Sequence, residues 1–325
     1  MITQNMQNMV SNLTIDDFTT ILRVVGLRRK YSKSIIKHVD AMKENLSSSI
    51  EQYNLLEPEY GEFMTYDKNK HRFTDIHDSE IFGTTEVSLL HESGEILTES
   101  GQIPSTVNGP NEKTRINSNL SGARYSFGGK IWLATQQPIG KDESPNPTTD
   151  DFLMECFLYG NNGDCHLVVN LNNLQHARNY LEMDSTFFVL TSVKKIQLES
   201  TFVVEYFNIS KRISGEYRTM IIIHYTGWPD FGVPSSSEDF CKMFTMIQAF
   251  LPFVHLIMVH CRAGVGRTGT LIAMAKCYEI LLKLKYPNLV KIIKELRHCR
   301  SHMVQNTAQL AFIVSCLHHL VNDGN

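Results

Sequence analysis

HLIMVHCRAGVGRTGTLIAMAKCYEILL, residues 255–282, is the stretch on which the fold turns. HLIMVH is short and apolar between two histidines, the pattern of a strand buried on both faces. GTLIAMAKCYEILL is too long for a strand and reads as a buried helix. The eight residues Cys261 to Thr268 therefore lie where a strand's carboxyl end meets a helix N-terminus, the place where open α/β sheets bind ligands. Gly264 and Gly266 allow unusual φ and close approach, so the amides of Arg262, Ala263, Gly264, Val265 and Gly266 can converge. Convergent N–H groups and a helix dipole make an anion cradle. Arg267 adds a planar fork that grips two phosphate oxygens. No G-x-x-x-x-G-K-[ST] string is present, and the loop opens on a cysteine, which separates it from a nucleotide-binding loop. A thiol in such a field ionises easily. The combination implies that Cys261 attacks phosphorus and forms a phosphocysteine that water later hydrolyses. Thr268 could donate its hydroxyl to the sulfur and ease its departure.

Working outward, helices and strands alternate. GKIWLATQQP reads as a strand ending in a turn, and KDESPNPTTD as a polar loop whose last residues can cap the helix DFLMECFLYG. CHLVVNL, TFFVLTSVKKIQLES, TFVVEYFNIS and YRTMIIIHYTGWPD continue as strands. SEDFCKMFTMIQAFL is an amphipathic helix, and NLVKIIKELRHCRSH and TAQLAFIVSCLHHLV are helices after the signature segment. Residues 1 to about 55 read as mostly helical, with a basic cluster at Arg28, Arg29 and Lys30 taken as a solvated face. Residues 56–130 read as polar and loop-rich, with short strand-like pieces such as EVSLLHE. The class is α/β, with strands and helices around a central sheet.

Bulk properties narrow the setting. The 325 residues suit one large domain or one domain with an appendage. A formal charge of −3 provides no global basic field, so no nucleic-acid partner is expected. The seven cysteines are scattered, odd in number and without a C-x-x-C pair, which suits a reducing compartment and argues against a disulfide scaffold or zinc finger. No apolar run reaches the ~18–20 residues of a membrane span, and no signal peptide is read at the N-terminus.

The full string H-C-x-A-G-x-G-R-[ST]-G resembles the signature loop of the protein tyrosine phosphatases. The resemblance implies their cysteine-phosphatase fold, a highly twisted mixed β-sheet flanked by α-helices, and a reaction needing no metal and no cofactor. Other segments extend it over roughly residues 45–325. HYTGWPDFGVP, residues 224–234, is similar to the family's mobile W-P-D-x-G-x-P loop, which implies Asp230 as general acid and Trp228 as hinge anchor. KNKHRFTDI, residues 68–76, resembles the family's phosphotyrosine-recognition loop, with Phe73 as the aromatic wall and Asp75 anchoring the substrate backbone. RSHMVQNTAQL, residues 300–310, resembles M-V-Q-T-x-x-Q and implies Gln305 and Gln309 as the pair that positions the hydrolytic water, with Asn306 in place of threonine. INSN and WLATQQP are weaker matches, the second with Gln137 in place of glycine. Tyr180 matches a tyrosine that hydrogen-bonds His260, the residue that orients the loop.

One departure stands out. The family's loop near residues 172–181 carries a glutamate that pairs with the signature arginine. Here the text is NNLQHARNYLEM, with no glutamate before Tyr180 and His176 nearest the place. The expected division is a helical extension over residues 1–44 and a tyrosine-protein phosphatase catalytic domain over 45–325. The expected function is hydrolysis of phosphotyrosine in proteins through a cysteinyl-phosphate by a cytoplasmic monomer, with tyrosine-phosphorylated proteins as partners. Divergent outer loops around a kept site also fit a pathogen-encoded enzyme acting on host phosphotyrosine, as the bracovirus phosphatases do. Two alternatives are a phosphotyrosine-binding pseudophosphatase, motivated by the missing glutamate, and a dual-specificity phosphatase, against which KNKHRFTD argues.

Overall fold

The computed structural model describes residues 31–58, 120–145, 147–158, 165–173, 182, 184–229 and 232–322. Its helices, numbered among the described residues, are α1 (Lys33–Glu44), α2 (Leu46–Asn54), α3 (Thr149–Leu158), α4 (Ser237–Phe250), α5 (Gly266–Leu282), α6 (Leu289–Cys299) and α7 (Thr307–Asn322). Its strands are β1 (Gly122–Phe127), β2 (Lys130–Gln136), β3 (Cys165–Asn170), β4 (Phe188–Glu199), β5 (Phe202–Lys211), β6 (Tyr217–Tyr225) and β7 (Val254–Cys261). They form one mixed seven-stranded sheet in the order β1-β2-β7-β3-β6-β5-β4.

Four strands, β2, β7, β3 and β6, run parallel, so their carboxyl ends lie together. Gln136 pairs with Cys261, and Asn170 pairs with both His260 and His224. That edge is where the segments of interest leave the sheet.

The apolar runs of these strands follow from burial on both faces. Ile257 and Val259 of β7 join Leu167 and Val169 of β3 and Ile221 and Ile223 of β6 in the larger core, packed with α4 to α7. The alternate residues Leu256 and Met258, with Val168 and Ile222, meet Phe152, Leu153, Cys156 and Phe157 of α3 on the other face. Two helical layers thus enclose the sheet, the arrangement expected of an α/β chain.

β1 falls in a segment whose sequence reads as loop. The strand is short and ends in Gly128-Gly129, both at positive φ (61° and 69°), which supports a two-residue hairpin into β2. Its buried Tyr125 donates to the Leu296 carbonyl at 3.1 Å, so a tertiary contact completes it. At the start of α3 the two threonines act outside the helix. Thr148 Oγ1 accepts the Ile139 N–H at 2.9 Å, and Thr149 Oγ1 donates to the Ile139 carbonyl at 3.2 Å. Asp150 accepts from the Ser185 hydroxyl and the Thr186 N–H.

α1 is capped by Ser32 and buries Ile35, Val39 and Met42, one stripe at helical spacing. Those three and Tyr53 of α2 belong to the larger core. The expected division at residue 45 falls between α1 and α2, and both pack on α7. Arg28, Arg29, Lys30 and the EVSLLHE stretch lie outside the described residues. Among the described residues no helix is long and apolar enough to cross a membrane, and six cysteines (156, 241, 261, 277, 299 and 316) are free and buried.

Candidate active site

Cys261 is the last residue of β7, and α5 begins five residues later at Gly266. The cysteine is buried, and two donors converge on its sulfur: the Gly264 N–H at 3.3 Å and the Thr268 hydroxyl at 3.3 Å. Gly264 has φ +74°, and a Cβ there would land on the carbonyl of Thr135 in β2. Only glycine lets the loop lie this close to β2 while turning its amide to the sulfur.

The loop is held from behind. Arg300, one residue past α6, is fully buried and donates through Nε to the Gly264 carbonyl (3.0 Å) and through Nη2 to the Ala263 carbonyl (2.8 Å). Its Nη1 donates to Ser121 Oγ at 3.0 Å. With these carbonyls drawn backward, the loop's N–H groups are turned toward the opposite side, the geometry of an anion-binding nest. The Arg262 carbonyl accepts the Gln137 N–H at 3.2 Å, and its side chain is exposed.

Arg267 answers the question raised by the missing glutamate. Its Nη1 donates to the Leu171 carbonyl and its Nη2 to the Pro229 carbonyl, each at 3.0 Å. Leu171 is presented by a polar knot at the end of β3. Asn172 donates its N–H and its Nδ2 to Asn170 Oδ1 at 3.0 Å, and Nδ2 also reaches Gln137 Oε1 at 2.7 Å. The Leu171 N–H donates to the His260 carbonyl at 2.9 Å, and His224 Nε2 meets the Asn172 carbonyl at 3.1 Å. Gln137, which replaces a glycine of the family pattern, thus acts as a member of this knot. Burial lowers the pKa of His224, with the Asn172 carbonyl opposing that shift.

Pro229 leads directly into Asp230, which lies outside the described residues, as do Phe73, Asp75, His176 and Tyr180. The flanks of Asp230 are well anchored. Trp228 is buried, donates Nε1 to the Gly232 carbonyl at 3.1 Å, and packs edge-on against Phe240 and Phe312. Upstream, the Thr226 N–H donates to the Thr201 carbonyl at 2.7 Å. His260 is buried, with its ring edge-on to Phe152 at 5.7 Å.

Gln305 and Gln309 meet over the first turn of α5. Gln309 Oε1 accepts the Gln305 N–H at 2.7 Å. A Cβ on Gly266 would strike Gln305 Oε1 and lie 2.9 Å from Gln309 Nε2, so both amides face the loop. Asn306 accepts the Gln309 N–H at 3.0 Å and caps α7. Threonine can serve the same purpose, which accounts for that replacement.

A thiol with two donors, a nest of amides at a helix N-terminus and a guanidinium across the loop make an arrangement able to hold a phosphoryl group. A family model described as protein-tyrosine phosphatase matches residues 105–319 of the 325. The chain belongs to the protein-tyrosine phosphatase family. Among relatives, it is 33% identical over 129 residues to the tyrosine-protein phosphatase non-receptor type 61F of Drosophila melanogaster, covering 38% of this chain and 24% of that protein. It is 32% identical over 118 residues to the non-receptor type 2 enzyme of Rattus norvegicus (35% of this chain, 28% of that protein). It is 34% identical over 109 residues to receptor-type tyrosine-protein phosphatase alpha of Mus musculus (33% and 13%). The chain therefore spans about a quarter of the fly and rat relatives.

Sequence reasoning does not find Arg300, Asn170 or Asn172 in this family member. A signal for Arg300 exists: it continues the stripe Leu289, Ile293 and Leu296 of α6, so an arginine sits on an apolar face. Nothing in the sequence says which carbonyls it meets.

Proposed function

We propose that the chain hydrolyses phosphotyrosine in proteins through a cysteinyl-phosphate intermediate. The observation that carries this reading is the pair of donors on Cys261 Sγ beside Arg267. Donors aimed at sulfur hold negative charge there, and a thiolate is the attacking form. The amides of residues 262–266 and the Arg267 fork bind the phosphate oxygens. Cys261 Sγ attacks phosphorus, the P–O bond to the phenol breaks, and Asp230 gives its proton to the departing oxygen. The Arg267–Pro229 bond supports this role, because it brings the residue before Asp230 to the loop. Gln305 and Gln309 then hold a water for attack on phosphorus. The P–S bond breaks, Thr268 donates to the departing sulfur, and the Asp230 carboxylate takes the water's proton.

Phe73 and Asp75 serve as substrate wall and backbone anchor in this reading, with Tyr180, His260 and Trp228 as supports. The substrates are tyrosine-phosphorylated signalling proteins, those of a host cell if the chain is pathogen-encoded. Free buried cysteines support a reducing compartment such as the cytoplasm.

Cys261→Ser should abolish release of phosphate from a phosphotyrosyl peptide. Asp230→Ala should slow phosphocysteine formation by about 10²–10⁴ while keeping peptide binding. Wild-type turnover by Cys261→Ser overturns the mechanism.

A further inference from the structure

The turn that carries Gln305 is strained. His302 and Val304 both have left-handed backbone, φ +59° and +58°. A β-branched valine there is a clear departure from its preferred conformations and persists only where surroundings force it. The forcing contacts come from two residues outside the short motifs named for the site. Tyr53 of α2, 251 positions away in the chain, donates its hydroxyl to the Val304 carbonyl at 2.7 Å. Arg297 of α6 donates through Nη2 to the same carbonyl (2.8 Å) and to the Tyr53 oxygen (2.9 Å), and through Nε to the Met303 carbonyl (3.1 Å). Its guanidinium lies 5.1 Å from the centre of the Tyr53 ring. The chain beyond α2 closes the clasp: the Glu57 carbonyl accepts from Arg297 Nη1, and the Pro58 carbonyl accepts the His302 N–H, both at 2.8 Å. On the other side the Val304 N–H donates to the Val265 carbonyl of the signature loop at 3.2 Å.

We propose that Tyr53 and Arg297 are positioning residues for the second chemical step, clamping the left-handed Val304 turn so that Gln305 and Gln309 hold the hydrolytic water over the cysteinyl-phosphate. The inference rests on the two-step reading above. The peptide group clamped at the Val304 carbonyl also supplies the Gln305 N–H, which fixes Gln309. Freed from the clamp, Val304 relaxes toward extended backbone, that peptide turns, and both amides move off the first turn of α5. The bonds that join Gly264 and Thr268 to Cys261, and Arg267 to Leu171 and Pro229, do not pass through the clamp, so attack on the substrate is spared. Burial raises the pKa of the Tyr53 hydroxyl, with Arg297 opposing, which keeps the phenol a protonated donor.

The test is rapid-quench kinetics on the full chain with a ³²P-phosphotyrosyl peptide, comparing wild type, Tyr53→Phe and Arg297→Lys. Acid quenching traps phosphocysteine, so its formation and decay are read separately. Loss of one buried hydrogen bond should slow decay in Tyr53→Phe about tenfold. Formation and kcat/KM should stay within about twofold, with kcat and KM falling together. Arg297→Lys keeps the charge, loses the fork, and should show the same split more strongly. Either variant carries the test if the other does not fold. Unchanged decay, or formation and decay falling together, overturns the clamp while leaving the two-step reading intact. Absence of labelled intermediate from wild type overturns both.

Discussion

Replacing Arg300 by methionine tests whether the signature loop is shaped from behind. The guanidinium makes three hydrogen bonds from a fully buried position, to the Gly264 and Ala263 carbonyls and to Ser121 Oγ. Methionine fills similar volume but returns none of them. Each buried acceptor left unpaired costs about 1–3 kcal/mol. The Ser121 hydroxyl can rotate, whereas the two carbonyls are set by the loop. The two carbonyls alone therefore make the expected loss about 2–6 kcal/mol. Urea unfolding should show a lower midpoint with an unchanged slope. Phosphatase activity should fall in samples still fully folded, because the Gly264 amide that points at Cys261 shares a loop with the released carbonyls. Arg300→Lys should lie between, one ammonium replacing a fork. A methionine variant within about 0.5 kcal/mol of wild type, the range of an ordinary surface change, and with full turnover would refute the reasoning.

Three further outcomes are expected. Gly264→Ala places a methyl on the Thr135 carbonyl at φ +74°, so the loop must move, and kcat/KM should drop about 10²-fold for a displacement near 1 Å; wild-type kinetics would contradict this. Lys276 and Glu295 form a buried ion pair at 3.5 Å, in which burial lowers the lysine pKa and raises that of the glutamate. Lys276→Met alone strands the carboxylate and should destabilise by about 3–5 kcal/mol, whereas adding Glu295→Leu should restore most of it; denaturant melts that rank the two variants otherwise count against the pairing. Burial, helped by the charges of Arg218 and His255, lowers the His166 pKa from 6.5 to about 4. The unfolded chain then binds the proton more tightly. Its contribution is complete above about pH 6.5 and is lost as pH falls toward 4, about 3 kcal/mol in all. His166→Leu should flatten that acid limb in pH-dependent melts, and an unaltered limb would remove His166 as its cause.

Much of the fold can be read along the chain because burial imposes local patterns. HLIMVH and CHLVVNL are apolar on both faces because β7 and β3 lie in the middle of the sheet, packed above and below. α6 shows its stripe because one face meets the core. β1 is less legible: six residues that begin on Gly122 and run into Gly128 acquire their order from pairing with β2 and from the Tyr125–Leu296 bond. Site residues split the same way. Cys261, Thr268 and Arg267 are spaced by a strand, a loop and a helix turn, so their meeting is local geometry. Gln305 and Gln309 share a helix entrance, but their approach to Gly266 crosses some forty residues of chain and follows from α7 packing on α5.

The sequence alone determined the α/β class, the family and the strand–loop–helix that carries residues 261–268, since these rest on residue types at short spacing, where backbone geometry fixes what can meet. The tertiary structure decided how that loop is held. Arg267 is gripped by the carbonyls of Leu171 and Pro229, and the loop by Arg300. The Gln305 turn is held by Tyr53 and Arg297. All of these acceptors are backbone oxygens. A carbonyl is the same in every residue, so no side-chain pattern can announce it, and only the path of the folded chain determines which one a buried arginine meets.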